Sequence, residues 1–280
     1  MRGRFLLALA ILLMVVGLGW ALLRGSGPLP DPEGCTASAA GRKVFLSTEQ
    51  AENATLISAI AIKRDLPARA VSIALATAYQ ESKIRNLGHG DRDSLGIFQQ
   101  RPSQGWGTQA QIQDPVYAIN KFYDALEKVD DYQSKRITVA AQEVQRSGFP
   151  EAYEQHAPDA RALASVLTGY SSGGRFNCVV QETSGDTRIS RTMGLLDDAY
   201  GTSIQVTSLS ERRELVIRAS GGHDPERVGW SVAQFLIAHG KAQNIRTVSI
   251  AGQTWTSGRE SEEGWIGTPA PDNSVRVIFR

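Results

Sequence analysis

Apolar positions recur at helical intervals over much of the chain and then give way to short apolar runs. Ser47 and Gln50 have the spacing of a capping box, in which each end of the first turn satisfies the other's backbone N–H. They open a helical stretch that begins at Ser47-Thr48-Glu49-Gln50 and continues through Ala51 to Arg64, apolar at Leu56, Ile57, Ile60 and Ala61. Asp65-Leu66-Pro67 breaks it. Pro67 suits the first turn of a second helix over 68–81, apolar at Val71, Ala74, Leu75 and Ala78. Further helices are expected over 114–129, 137–146 and 158–167. Between Glu81 and Asp114 the periodicity lapses into Gly, Asp, Gln and Pro, which predicts a long functional loop or a short hairpin.

After Tyr170-Ser171-Ser172-Gly173-Gly174 the pattern changes, with a polar boundary over 181–187. A helix over 190–200 leads to strand-like runs at 203–208 and 215–219, a long helix over 225–243, and strands at 246–251 and 274–279. Strands mixed with one long helix predict a small α+β domain. The expected class is thus α+β. The expected parts are an N-terminal segment (1–24), a Gly/Pro-rich spacer (25–46), a helical domain (47–180) and an α+β domain (188–280).

The N-terminal segment starts with a basic Met1-Arg2-Gly3-Arg4 and runs without charge from Phe5 to Leu23. As a helix, that run would measure about 28 Å, close to the thickness of a bilayer's hydrocarbon layer. It is expected to be an uncleaved, single-pass membrane anchor with its basic end inside. A cleaved signal peptide is the alternative, for which Leu18-Gly19-Trp20-Ala21 is a poor cleavage site. Either reading exports the remainder. Two cysteines, Cys35 and Cys178, fit an oxidising compartment in which they can pair, closing a loop for which chain entropy allows about 5 kcal/mol. Two unrelated buried thiols are the alternative.

The chain has 280 residues, 21% charged, and a formal net charge of +1. Bulk charge therefore offers nothing to a nucleic acid, and recognition must come from local groups. No cofactor motif or metal-ligand spacing is present, and nothing bears on oligomeric state.

Glu81 is the chemical candidate. It shares the inward face of its helix with Ala78, Ala74 and Val71 and lies at the helix C-terminus. Desolvation and the negative end of the helix dipole both favour a protonated carboxyl, the form a glycosidic leaving oxygen needs. An exposed Glu paired with Lys83 or Arg85 is the bland alternative.

Gln80-Glu81-Ser82, followed by Ser94-Leu95-Gly96-Ile97-Phe98-Gln99, resembles the signature of the lysozyme-like superfamily. Soluble lytic transglycosylases carry Glu-Ser and then Gly-Leu-Met-Gln. The stretch Gly90-Asp91-Arg92-Asp93-Ser94-Leu95-Gly96-Ile97-Phe98-Gln99 is also similar to one in goose-type lysozymes. The likeness covers roughly residues 50–167. It implies a helical domain that cleaves the MurNAc–GlcNAc bond of peptidoglycan, with Glu81 as general acid/base and glycan strands as partner. Phe98 departs from the usual Met. The transglycosylases' Ala-Tyr-Asn-Ala-Gly motif is absent; Phe149-Pro150-Glu151-Ala152-Tyr153 is the nearest segment, which makes Tyr153 a candidate for the cleft wall or for packing. The goose-type similarity assigns a second carboxylate role to Asp91, while Asp93 reads as a turn residue. Ser94, Gln99 and Gln100 offer neutral groups to sugar hydroxyls and N-acetyl groups, and Trp106 a face for a sugar ring. A degenerate fold that grips glycan without cutting it is the rival reading.

In the second half, the order of helix, strand and trailing Trp255 and Trp265 resembles a small extracellular domain related to metal-dependent D-Ala-D-Ala carboxypeptidases. That family's His-x-x-Gly-x-Ala-x-Asp pattern is absent, with only His223 and His239 in this half. A non-catalytic domain that binds wall or a partner is expected, or a packing module.

Overall fold

The computed structural model describes residues 31–182 and 186–280, together with residues 11, 13–17, 19 and 20. The expected membrane anchor over 5–23 is corrected: among the described residues no helix is long and apolar enough to cross a membrane. A span needs about 20 consecutive apolar residues in one helix, and the described helical positions in this segment fall short of that. The other residues of 1–30 and residues 183–185, in the expected boundary, lie outside the described residues.

Residues 33–280 form one compact α+β unit. Part of the expected spacer is a hairpin of β1 (Gly34–Ala39) and β2 (Arg42–Leu46), turned at Ala40 and Gly41, both at positive φ. β3 (Phe176–Val179) completes an antiparallel sheet in the order β2-β1-β3. Cys35 and Cys178 face each other across β1 and β3 and are joined by a disulfide.

Helix α1 (Thr48–Lys63) starts at the capping box foreseen at Ser47 and Gln50. Residues from Ala51 to Ile62 are buried around its whole circumference, except Glu52, which marks it as the central helix. Around it pack α2 (Ala68–Ser82), α4 (Pro115–Leu126), α6 (Ala157–Leu167) and α7 (Ile189–Tyr200). The short α3 (Gln109–Gln113) leads into α4, and α5 (Ile137–Gln145) lies on α2.

The larger sheet is antiparallel, in the order β4-β5-β9-β6-β7-β8. Its strands are β4 (Ile204–Leu209), β5 (Glu214–Ala219), β6 (Ile245–Ile250), β7 (Gln253–Thr256), β8 (Ile266–Gly267) and β9 (Val275–Phe279). Helix α8 (Pro225–Ala238) contacts β5, β6 and β9 as well as α1 and α6. It stops short of the expected residue 243, where a turn ending in the left-handed Asn244 feeds β6.

Buried hydrogen bonds join the two halves. Ser231 on α8 donates to the Leu167 carbonyl at 2.8 Å. The Trp255 indole donates to the Cys178 carbonyl at 2.9 Å and the Trp265 indole to the Phe176 carbonyl at 2.8 Å. The trailing tryptophans thus bind the large sheet to the small one. Gly169, at φ +78°, has no room for a Cβ, which would stand 2.1 Å from the Arg227 carbonyl oxygen.

Candidate active site

Glu81 is the penultimate residue of α2. The helix ends in two consecutive left-handed residues, Lys83 and Ile84, each at φ 58°. Ile84 N–H donates to the Ala78 carbonyl and Lys83 N–H to the Tyr79 carbonyl, a nested pair of bonds that closes the helix end. A β-branched residue in this conformation is costly and persists only where its surroundings hold it. Here α1 holds it: Gln50 donates to the Lys83 carbonyl at 2.8 Å and Asn53 to the Ile84 carbonyl at 2.9 Å. The central helix thereby fixes the end of the helix that carries Glu81.

The next residue anchors the loop. Ser82 Oγ donates to the Ile97 carbonyl at 2.6 Å and accepts from Arg85 N–H at 3.1 Å. Bridges between Leu87 and Gly96 and between Leu95 and Gln100 make the stretch a short hairpin, one of the two forms foreseen. Gly96 is required, because at φ 76° a Cβ there would meet the Ile112 carbonyl oxygen at 2.8 Å.

Glu81 itself is largely buried. Its Oε1 accepts a 2.8 Å hydrogen bond from the Tyr153 hydroxyl, and the polar Gln145 side chain lies near enough to favour the charged carboxyl. Burial raises the Glu81 pKa above the ordinary carboxylate value, and the bond from Tyr153 and the nearby Gln145 offset only part of that. Among the described residues no ion pair includes Glu81; Arg85 instead lies 4.0 Å from Glu49. Tyr153 is completely buried, and burial followed by the adjacent Glu81 charge pushes its own pKa up, so it stays a hydrogen-bond donor. It therefore stands behind the acid, as a packing residue with its hydroxyl on the carboxylate.

The remaining candidates divide. Asp93 accepts from Ser103 N–H at 2.8 Å, from Arg101 at 2.8 Å and from the Ser103 hydroxyl at 3.0 Å, the turn role expected of it. These bonds, led by the Ser103 N–H, hold its pKa below the usual range. Asp91 is different: its side chain is 94% exposed, with Arg92 3.9 Å away. Among the described residues, Arg92 is the one ion-pair partner of this candidate second carboxylate. Gln100 is 1% exposed and donates to the Ala118 carbonyl at 3.1 Å, so it belongs to the core and not to a sugar-binding face. Gln99 folds back on its own loop, donating to the Gly96 carbonyl at 3.2 Å. Ser94 is buried as well. Trp106 packs half-buried on the core and lines a cavity of about 910 Å3 together with Gln145, Arg146 and Lys128.

Gln145 carries no sequence signal, yet it connects three features. Its amide donates to the Phe98 carbonyl at 2.8 Å, it favours the charged form of Glu81, and it lines the cavity. Only its place at the end of a helix ahead of Tyr153 hints at this. Beside Glu81, Gln80 meets His156 Nε2 at 3.0 Å, and the His156 ring stacks on Tyr79.

In the second half, His239 is buried with Nδ1 2.8 Å from the Phe235 carbonyl oxygen, and burial lowers its pKa to about 4. His223 lies 3.7 Å from Asp65. Among the described residues no group of three or more His, Cys, Asp or Glu side chains is placed to hold a metal. No model of a known protein family matches the chain, and no curated protein does either.

Proposed function

We propose that this protein cleaves the glycan strands of peptidoglycan outside the cytoplasm, with Glu81 as general acid/base on a lysozyme-like helical scaffold. One observation carries the reading: a carboxyl largely withdrawn from water at a helix C-terminus, held by a neutral tyrosine hydroxyl and, among the described residues, without an ion-pair partner. Such a group keeps its proton at a pH where an ordinary carboxylate has lost it, and it can deliver that proton to a glycosidic oxygen. The Cys35–Cys178 disulfide supports an oxidising location.

The route proposed is substrate-assisted. Asp93 is committed to Ser103 and Arg101 and Asp91 stands in solvent, so neither positions a water. Glu81 protonates the leaving oxygen; the resulting carboxylate then takes the proton of the sugar's own hydroxyl as that oxygen attacks the anomeric carbon. The product carries a 1,6-anhydro ring and no water is consumed.

Incubating the full chain with purified peptidoglycan tests this. Soluble muropeptides with anhydro ends are expected, and none from Glu81→Gln. Sedimentation with the wall and no release from the wild type would overturn the enzymatic reading in favour of a binder. Reducing ends would restore a water-activating role for Asp91.

A further inference from the structure

The cavity beside Gln145 has a charge pattern of its own. It is bounded by Trp106 from the loop, by Lys128 and Val129 after α4, and by the end of α5 through Arg146. Lys128 and Arg146 are exposed, and neither enters an ion pair among the described residues. Glu143 is the one carboxylate on this wall, and Lys135 already neutralises it at 2.7 Å. The cavity thus presents two uncompensated cations next to an aromatic face and the Gln145 amide.

Arg146 adds a second observation. It caps α5 in the left-handed conformation, at φ 50°, with its N–H on the Gln142 carbonyl. Helix ends of this kind ordinarily take glycine, because a side chain there is strained. The loop that follows is tied down by Gln142, whose amide donates to the Ser147 carbonyl and accepts from the Ser147 hydroxyl, each at 2.9 Å. Arg146 is therefore held rigidly where it enters the cavity wall.

We infer that this cavity is a subsite for the peptide stem of the wall polymer, in which Lys128 and Arg146 receive its carboxylates and Trp106 covers its apolar portion. The inference rests on the glycan-cleaving reading of Glu81 and specifies which substrate that site prefers. Removing the stem leaves each muramyl sugar one lactyl carboxylate fixed close to the ring, whereas an intact stem carries several free carboxylates well beyond the sugar, where a pocket separate from Glu81 can receive them. A volume of about 910 Å3 suits a short peptide, ligand sites commonly holding about 300–1,000 Å3.

Two measurements test it independently. The first compares kcat/KM of the full chain on stem-bearing strands and on strands stripped of their stems by an amidase. A preference for stem-bearing strands is expected, falling about fivefold per cation removed in Lys128→Ala and Arg146→Ala, as for an exposed charge contact of up to about 1 kcal/mol. Equal rates on both strands in the wild type, or an unchanged ratio in the double variant, would overturn it. The second is calorimetric titration with the soluble muramyl tripeptide, which needs no cleavage. Binding that the charge reversals Lys128→Glu and Arg146→Glu abolish supports the subsite even if the chain cuts nothing. No heat with the tripeptide, or heat only with polyglycerol phosphate, overturns it whatever the fate of the catalytic reading. Both cations are exposed, so the variants are expected to fold; circular dichroism checks this.

Discussion

The hydroxyl of Tyr153 reaches Oε1 of Glu81 at 2.8 Å, joining a buried aromatic to a carboxyl 72 residues earlier in the chain. Burial of Glu81 favours its acid form, whereas a donor directed at the carboxylate favours the charged form. Tyr153 therefore tempers the shift that burial produces, and it fixes the direction in which the acid faces. Removing only its hydroxyl separates these two effects.

In Tyr153→Phe the carboxylate loses a stabilising donor, so the Glu81 pKa rises further. The alkaline limb of kcat/KM, where the acid loses its proton, should move to higher pH. The maximal rate should fall by about tenfold because the carboxyl is less well oriented. A pH–rate profile on soluble glycan checks both. An alkaline limb moving to lower pH would show that Tyr153 does not act on the charged form.

Glu81→Gln should lose activity by about 10²–10⁴-fold, the usual share of a general acid. The same change should stabilise the fold at alkaline pH. A raised native pKa means the folded state keeps a proton that the unfolded state has released, so wild-type stability falls as pH climbs from the ordinary carboxylate range through the raised value. Glutamine carries no such penalty. A gain of about 1 kcal/mol, or roughly 2–4 °C in Tm, is expected at pH 8 and should vanish near pH 4. Thermal melts of both proteins at the two pH values measure it.

The helices were readable because their signals are local. The capping box at Ser47 and the Pro67 start set α1 and α2 to within one residue at each end. The β1–β2 hairpin was not, because its inward positions are Cys35 and Ala37 facing Val44 and Leu46, too few large apolar residues to alternate visibly. Glu81 on an inward helix face followed from periodicity alone. What surrounds it did not: Tyr153 and Gln145 reach it from segments more than sixty residues away, and no spacing rule links them. The orientations of Gln99 and Gln100 are not legible in the sequence for a related reason. A glutamine in a loop looks the same in sequence whether it faces ligand or holds the loop itself, as these two do.

Reducing the Cys35–Cys178 bridge should weaken the fold rather than the chemistry. The bond closes a loop of 143 residues between adjacent strands, far from the loop that carries Gly96 and Gln99. A loss of about 3 kcal/mol, or roughly 6–12 °C in Tm, is expected for the Cys35→Ser, Cys178→Ser pair. Specific activity below the new Tm should stay within about twofold of the wild type. Melting curves and activity at matched temperatures decide it, and a collapse of activity at low temperature would tie the small sheet to the site.

Gly169 offers the sharpest test of whether residues 33–280 unfold together. It sits just after α6, at φ +78°, against the Arg227 backbone of α8, so a methyl group must push two helices apart. Gly169→Ala combines left-handed strain with a backbone overlap that no rotamer relieves, and it should cost about 2–4 kcal/mol. Because α8 contacts both the large sheet and α1, that loss should lower one common transition. Urea unfolding can be followed through Trp106 in the helical half and Trp255 under the sheet, using single-tryptophan variants. The two probes should report one midpoint, shifted equally by the substitution. Two separate midpoints, only one of them moved, would show that the halves are held as independent folding units despite the hydrogen bonds of Ser231, Trp255 and Trp265 between them.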